Sequence, residues 1–304
     1  MTAAIYSSRG ELKTLIIAGN PGGGQLLSTT DVENFPGFPE GVLGPQLIEL
    51  FKKQALRFGA ELVEENVSSI NGSSEQGFVV KTETGNTFGA KSIILATGAS
   101  AKWLGLDSEQ KLRGKGVSAC ATCDGYFFKG KVVAVVGSGD AAMEESLYLT
   151  KFAPKVYVVA RCKEGSLRAS KIMAHRALVS PKIEFLYTTE VVEVIGENKV
   201  EGLKVINNIS QESKILEDVE GLFVAIGHKP NTDFLLDFVE LDAMGYIRVL
   251  DSTHTSKEGV FVAGDAADFK YRQAVSAAGY GCMAAMDAEK FLSQKEHLES
   301  PHTH

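Results

Sequence analysis

Two cysteines stand two residues apart in CATCDG (120–125), and an acid follows the second directly. Zinc would need a second such pair, or histidines at ligand spacing, to complete four ligands. Cys162 and Cys282 are isolated and no histidine lies nearby, so no metal is expected. A buried structural role for both cysteines leaves the adjacent Asp124 unexplained. Cysteines at this spacing can close a small, reducible disulfide where the local turn allows it. Asp124 could then supply or accept the proton that thiol–disulfide exchange requires. The preferred reading is a redox-active pair with catalytic residues Cys120, Cys123 and Asp124.

A redox disulfide needs an electron source, and KVVAVVGSGDAAMEESLYL (131–149) suggests one. It reads as strand, glycine turn and helix, with Gly137, Ser138, Gly139, Asp140, Ala141 and Ala142 forming G-x-G-x-x-A. Gly137 makes the tight turn, Gly139 leaves room for a pyrophosphate at the helix N-terminus, and Ala142 lets helix and strand pack closely. A carboxylate at the end of the next strand would suit free ribose hydroxyls. Instead KVYVVA runs into Arg161 and Lys163, with Arg168 following. Those cations suit a 2′-phosphate, hence NADPH; the plain alternative is a solvated basic turn. Nicotinamide does not ordinarily reduce a protein disulfide directly, so the chemistry also asks for a flavin and a second nucleotide site.

The elements that must position these residues follow an α/β pattern, with short β-branched runs alternating with alanine-rich helices. Strands are expected at Leu12–Ala18, Ser92–Ala96, Val132–Val136, Val156–Ala160, Gly221–Ala225 and Gly259–Ala263. Helices are expected at Gly44–Gly59, Asp140–Phe152, Ser170–Val179 and Gln273–Leu292. IILATG (93–98), LFVAIG (222–227) and VFVAGD (260–265) each deliver an apolar strand into a glycine, at the edge where open α/β sheets hold ligands. The repetition points to two nucleotide-binding units, one inserted into the other, with boundaries near Arg113 and Val239–Asp242. Histidines 175, 228 and 254 read as surface or loop residues, and the polar tail Ser293–His304 as frayed.

The net charge of −7, with no basic block, argues against a nucleic-acid binder. No apolar run reaches the ~18 residues of a membrane span. Four cysteines in 304 residues are no disulfide scaffold, and the expected compartment is the cytosol.

Further motifs flank this region: AGNPGGGQL (18–26), DVENFPGFPEG (31–41), ATGAS (96–100) and AGDAADFKYRQA (263–274). Together with CATCDG and GSGDAA, in this order, they resemble the low-molecular-weight thioredoxin reductases from residue 2 to about residue 292. The resemblance implies two Rossmann-like three-layer domains: an FAD domain over 1–112 and 242–304, and an NADPH domain over 113–241 inserted within it. It implies that Ala18, Gly19, Gly22, Gly23, Gly24, Gln25 and Leu26 wrap FAD, with Asn34 nearby. Thr97, Gly98, Ile226, Gly227, Gly264 and Arg272 join the cofactor-binding set by the same match. Asp265 would meet the ribityl–phosphate region, and Gln273 and Ala274 the isoalloxazine ring. Cys123 becomes the flavin-proximal sulfur and Cys120 the interchange thiol that attacks oxidised thioredoxin. Homodimers, and rotation of one domain against the other about hinges near Arg113 and Asp242, are implied as well.

This sequence also departs from the family. In RCKEGSLR, Cys162 interrupts two cations the family places side by side, and Ala18 stands where some relatives carry an acid. The opening MTAAIYSSRGELKTLIIAGN reads as a helix over Thr2–Ser8 feeding a strand. The family's preceding strand and glycine turn are not matched, and the chain is expected to start roughly 15 residues late. Rival readings are a reductase of another dithiol partner, a dithiol oxidase passing electrons to oxygen, and an NADP-binding regulatory protein without flavin. Against the oxidase stand Gly137–Ala142 with Arg161 and Arg168.

Overall fold

The computed structural model describes residues 1–28 and 31–299. The chain divides at Ser100/Ala101 and again at His228/Lys229 into an outer unit, made of both ends, and a middle unit. The outer unit begins with α1 (Thr2–Arg9), β1 (Leu15–Ile17), α2 (Gly44–Arg57) and β2 (Glu61–Val63). A meander of β3 (Val67–Ser73), β4 (Gly77–Thr82) and β5 (Thr87–Ala90) precedes β6 (Ile93–Leu95). The middle unit starts with α3 (Asp107–Lys111), β7 (Val117–Ser118), α4 (Ala121–Asp124) and β8 (Val132–Val136). It continues through α5 (Asp140–Leu149), β9 (Val156–Val159), α6 (Lys171–Leu178) and β10 (Ile183–Leu186). A second meander, β11 (Thr189–Ile195), β12 (Gly202–Asn207) and β13 (Ser213–Leu216), leads into β14 (Val219–Val224). The outer unit resumes with β15 (Val260–Val262) and ends in α7 (Ala274–Glu299).

In the middle unit the strands form one parallel sheet in the order β7-β14-β8-β9-β10. The run VVAVV is apolar throughout because both faces of β8 are covered. Ala134 and Val136 pack with Val191, Leu203 and Val205 of the meander. Val133 and Val135 pack with Ala142 and Met143 of α5 and Ala177 of α6. The result is three layers: helices, parallel sheet, antiparallel meander. Gly221 on β14 is required by this packing, since a Cβ there would lie 2.3 Å from the Phe128 ring.

In the outer unit, β1 pairs with β2 and β6 with β15, both parallel, and its meander carries Ile70, Phe78 and Val80 into a core with Leu95, Val260 and Val262. Helix α7 presses Ala284 and Ala288 onto Phe261 and Ala263 of the β15 segment. It also meets α1 closely, because a Cβ on Gly281 would sit 3.1 Å from the Ala3 nitrogen.

The six expected strands and five expected helices, Thr2–Ser8 included, are all present, most with ends displaced by a few residues. The last helix runs on to Glu299 instead of stopping at Leu292, so Ser293–Glu299 is helical; 300–304 lie outside the described residues. Neither meander was foreseen. Both unit junctions precede Arg113 and Val239–Asp242, for a packing reason. Leu104, Leu106 and Leu112 join the middle unit's core, whereas Phe234, Leu235, Phe238 and Leu241 join the outer one.

Glu109 anchors the start of the middle unit. It is fully buried, and its carboxyl oxygens accept the Leu104 and Gly105 N–H groups, each at 2.9 Å. Trp103, the chain's single tryptophan, packs on the same core beneath the Arg113 guanidinium. E109A strands two backbone donors, and the expected loss is about 2–4 kcal/mol, with E109Q intermediate. The check is a shift of the urea midpoint followed by Trp103 fluorescence, which reports on the middle unit.

Candidate active site

Ser118 closes β7 and the chain turns into α4 with Cys120 at its N-cap. The Ser118 hydroxyl accepts the Cys120 N–H at 3.0 Å, fixing the entry to the turn. Cys120 Sγ in turn accepts the Cys123 N–H at 3.2 Å. The single helical turn brings the two Cα atoms to 5.3 Å, and the cysteines are joined in a disulfide. Asp124 ends the turn, its N–H donating to the Cys120 carbonyl. Burial raises its carboxyl above the usual aspartate range, and a hydrogen bond with Ser118 partly opposes the shift. A carboxyl so placed holds its proton more readily than an ordinary aspartate, as an acid serving sulfur should. Ser118 was not anticipated; the only hint was a hydroxyl residue two positions before the first cysteine.

Helix α4 packs on α5, whose N-terminus carries the glycine turn. Gly137 has φ +152°, and a Cβ there would lie 2.4 Å from the Ala225 carbonyl oxygen and 2.7 Å from the Ala142 Cβ. A Cβ on Gly139, by contrast, would meet open space. The turn is thus fastened to the sheet on one side and bare on the other. The chain leaves β9 through Ala160 into the loop 161–168, where Arg161, Lys163 and Arg168 are exposed. The far end of this loop is tied back: the Ala169 N–H donates to the Ser138 carbonyl at 2.9 Å, and the Ser170 N–H to Asp140 Oδ1 at 2.8 Å. Ile226 and Gly227 follow β14 at the same carboxyl edge, Gly227 with φ +99°.

The outer unit gathers its own set. Ala18 and Gly19 follow β1 and donate to the carbonyls of Val63, the last residue of β2, and of Glu65 just past it. Gly22 and Gly23 are crowded, each with a would-be Cβ contact at 2.7 Å, while Gly24 is open with φ +62°. Gln25 donates to the Ala99 carbonyl at 2.5 Å, and Leu26 is half-buried beside it. Asn34 donates to Gln273 Oε1 at 3.2 Å, so residues far apart in sequence meet. Gln273 precedes α7, its carbonyl accepting the Ala277 N–H, and Ala274 is the first helical residue. Arg272 adopts φ +49°, a left-handed conformation held by Asp268, whose carboxylate accepts the N–H groups of residues 270, 271 and 272. Gly264 follows β15, where a Cβ would press on Ala277 at 3.2 Å. The neighbouring Asp265 carboxyl is pushed up to about 6 by burial and by the Asp268 charge, with Arg272 opposing. At the end of β6, the Thr97 hydroxyl is buried with no hydrogen-bond partner among the described residues, and Gly98 is open with φ +72°.

These details fit two nucleotides. A buried hydroxyl without a partner calls for a polar group from elsewhere, and Thr97 with Gly24 and Gly98 leaves space for one. The bare face of Gly139, with three exposed cations nearby on the same unit, offers room and charge for a second.

A disulfide carried by a three-layer dinucleotide-type unit, beside a carboxyl that burial makes less acidic than an ordinary aspartate, defines a disulfide oxidoreductase. Residues 1–281 match the family described as pyridine nucleotide-disulphide oxidoreductase. The chain is 47% identical over 297 residues to a thioredoxin reductase of Mycolicibacterium smegmatis, covering 97% of this chain and 94% of that one. It is 49% identical over 298 residues to that of Rickettsia conorii, covering 97% and 95%. Among solved structures, thioredoxin reductase from Giardia duodenalis superposes with a TM-score of 0.90 at 42% identity, over 96% of this chain and 94% of that one. The enzyme from Streptococcus pyogenes does so with a TM-score of 0.91 at 35% identity, over the same shares. The chain belongs to the low-molecular-weight thioredoxin reductases, within the pyridine nucleotide-disulphide oxidoreductases. Its chemistry is that of a thioredoxin-disulfide reductase.

Proposed function

We propose that the chain uses NADPH to reduce the Cys120–Cys123 disulfide and, with that pair, oxidised thioredoxin; FAD, when held by the outer unit, would supply the two-electron carrier between NADPH and the disulfide. The observation that carries this reading is the Cys120–Cys123 disulfide with Asp124 beside it, on the unit that holds the Gly137–Ala142 turn. In this reading the middle unit, 101–228, holds NADPH, with Gly139 facing the pyrophosphate and Arg161, Lys163 and Arg168 the 2′-phosphate. The outer unit holds FAD through Ala18–Leu26, Asn34, Thr97, Gly98, Asp265 and Gln273. Once the pair is reduced, the Cys123 N–H steadies a thiolate on Cys120, which attacks a sulfur of thioredoxin. That attack forms a Cys120–thioredoxin disulfide and expels the second thioredoxin sulfur, which takes the proton of Asp124. Cys123 then attacks Cys120, releasing the remaining thioredoxin sulfur and restoring the Cys120–Cys123 disulfide. One hydride and one proton convert one substrate disulfide into two thiols. The sparing use of cysteine supports a cytosolic setting, and no helix among the described residues is long and apolar enough to cross a membrane. A homodimer is the family's arrangement and is carried over with the rest.

The test is an insulin-coupled assay with oxidised thioredoxin and either NADPH or NADH. Turnover is expected with NADPH in preference to NADH. R161A/R168A should raise the KM for NADPH by about tenfold or more, with the KM for NADH nearly unchanged. Equal use of both nucleotides by the unsubstituted protein would overturn the cation assignment.

A further inference from the structure

Asp140 is the first residue of α5, where a free carboxylate would repel the pyrophosphate that the glycine turn is shaped to receive. Its Oδ1 is instead directed sideways, accepting the Ser170 N–H at 2.8 Å. Ser170 is the N-cap of α6, and its hydroxyl accepts the Met173 N–H. One carboxylate therefore bridges the first turns of two helices. Next to that bridge the Ala169 N–H donates to the Ser138 carbonyl, within the glycine turn itself. Leu167 and Ala169 press into the core shared by α5 and α6, while Arg168 between them stays exposed.

These contacts fix only one end of the basic loop. The other end leaves β9 at Ala160, and the Thr188 N–H donates to the Cys162 carbonyl at 2.9 Å. Between these anchors Lys163 to Ser166 are exposed, with Gly165 at φ +75°. Without the anchor at its far end, the loop would lose the register of Arg168 relative to Gly139.

We propose that Asp140 is a positioning residue: its carboxylate clamps the basic loop to the glycine turn, so that one ligand meets both the turn and the cations. The inference rests on the NADPH reading above, and it moves Asp140 from touching the nucleotide to acting through Ser170. It predicts that the acceptor oxygen matters more than the negative charge, because the clamp is a hydrogen bond to a backbone N–H.

The probes are 2′,5′-ADP, which carries the 2′-phosphate, and 5′-ADP, which lacks it, titrated calorimetrically into the whole protein. In D140A the affinity for 2′,5′-ADP should fall about fivefold while that for 5′-ADP stays within about twofold. D140N retains an acceptor oxygen and should restore most of the loss. S170P removes the donor at a residue whose φ of −55° suits proline, and should reproduce D140A, whereas S170A keeps the N–H and should not. This second pair carries the test if D140A fails to fold. An unsubstituted protein with no preference for 2′,5′-ADP would sink the NADPH reading itself. A preference that survives in D140A or S170P, or an equal loss for both probes, would overturn the clamp alone.

Discussion

C120S is expected to abolish thioredoxin turnover, by about 10⁴-fold or more, because it removes the nucleophile itself. C123S should be equally inactive in turnover but differ in a single exchange. With Cys123 gone, Cys120 can still attack, and the product cannot be resolved from within the pair. A thioredoxin retaining one active-site cysteine, presented as its thionitrobenzoate mixed disulfide, should therefore form a stable adduct with C123S and release the coloured anion. C120S should form little adduct and release little colour. The asymmetry follows from local geometry: the Cys123 N–H points at Cys120 Sγ, so a thiolate on Cys120 inherits a donor already in place. The reverse pattern, adduct with C120S and none with C123S, would exchange the roles of the two sulfurs.

D124N should lower kcat by about 10²–10³-fold, the span of a lost general acid. The pH profile carries more information than the magnitude. Burial raises the Asp124 carboxyl, so its protonated form persists to higher pH than that of an ordinary aspartate. Acid catalysis should decline as pH rises through that raised value, and D124N should lose this limb of the profile. Stability should move the same way. The folded state binds this proton more tightly than the unfolded state, so stability falls as pH rises from the ordinary aspartate value to the raised one, and stays lower above it. D124N has no such charge to bury and should be at least as stable as the parent at neutral pH while nearly inactive. Matched urea midpoints at low and neutral pH would check this; a D124N protein destabilised at neutral pH would show that the ionised carboxyl has a favourable partner.

What could be read from sequence depended on how many faces of an element are buried. Val132–Val136 was readable because a doubly covered parallel strand is apolar at every position, and the turn after it needs glycine for steric reasons visible in the residue types. The two meanders escaped for a physical reason that both share. Their first strands each carry a bulge, between Val67 and Ser69 and between Val191 and Glu193, which breaks the alternation that marks a half-buried strand. Once they are seen, the repeated apolar-to-glycine endings at IILATG and LFVAIG make sense, since each follows a three-stranded meander and returns the chain to a parallel strand. Ser118 and Ser170 were unreadable, because a serine's value here lies in which backbone group or carboxyl it meets. The expected junctions follow polar turns at Arg113 and 239–242, whereas the compact units part at Ser100/Ala101 and His228/Lys229, according to which core each leucine and phenylalanine enters.

The outer unit's split across the chain has a consequence for synthesis on the ribosome. Every strand of the middle unit's sheet has emerged by Val224, so that sheet can close while the chain is still growing. The apolar edge of β6 has no such early partner: Ile93 waits for Val260 and Leu95 for Val262. For the whole interval in which the middle unit is made, Ile93-Ile94-Leu95 presents unpaired backbone, the kind of edge that recruits another chain. The later-translated β15 and α7 are therefore what cover that edge, and a chain stalled or clipped before them would leave the nascent outer unit as the sticky half of the protein.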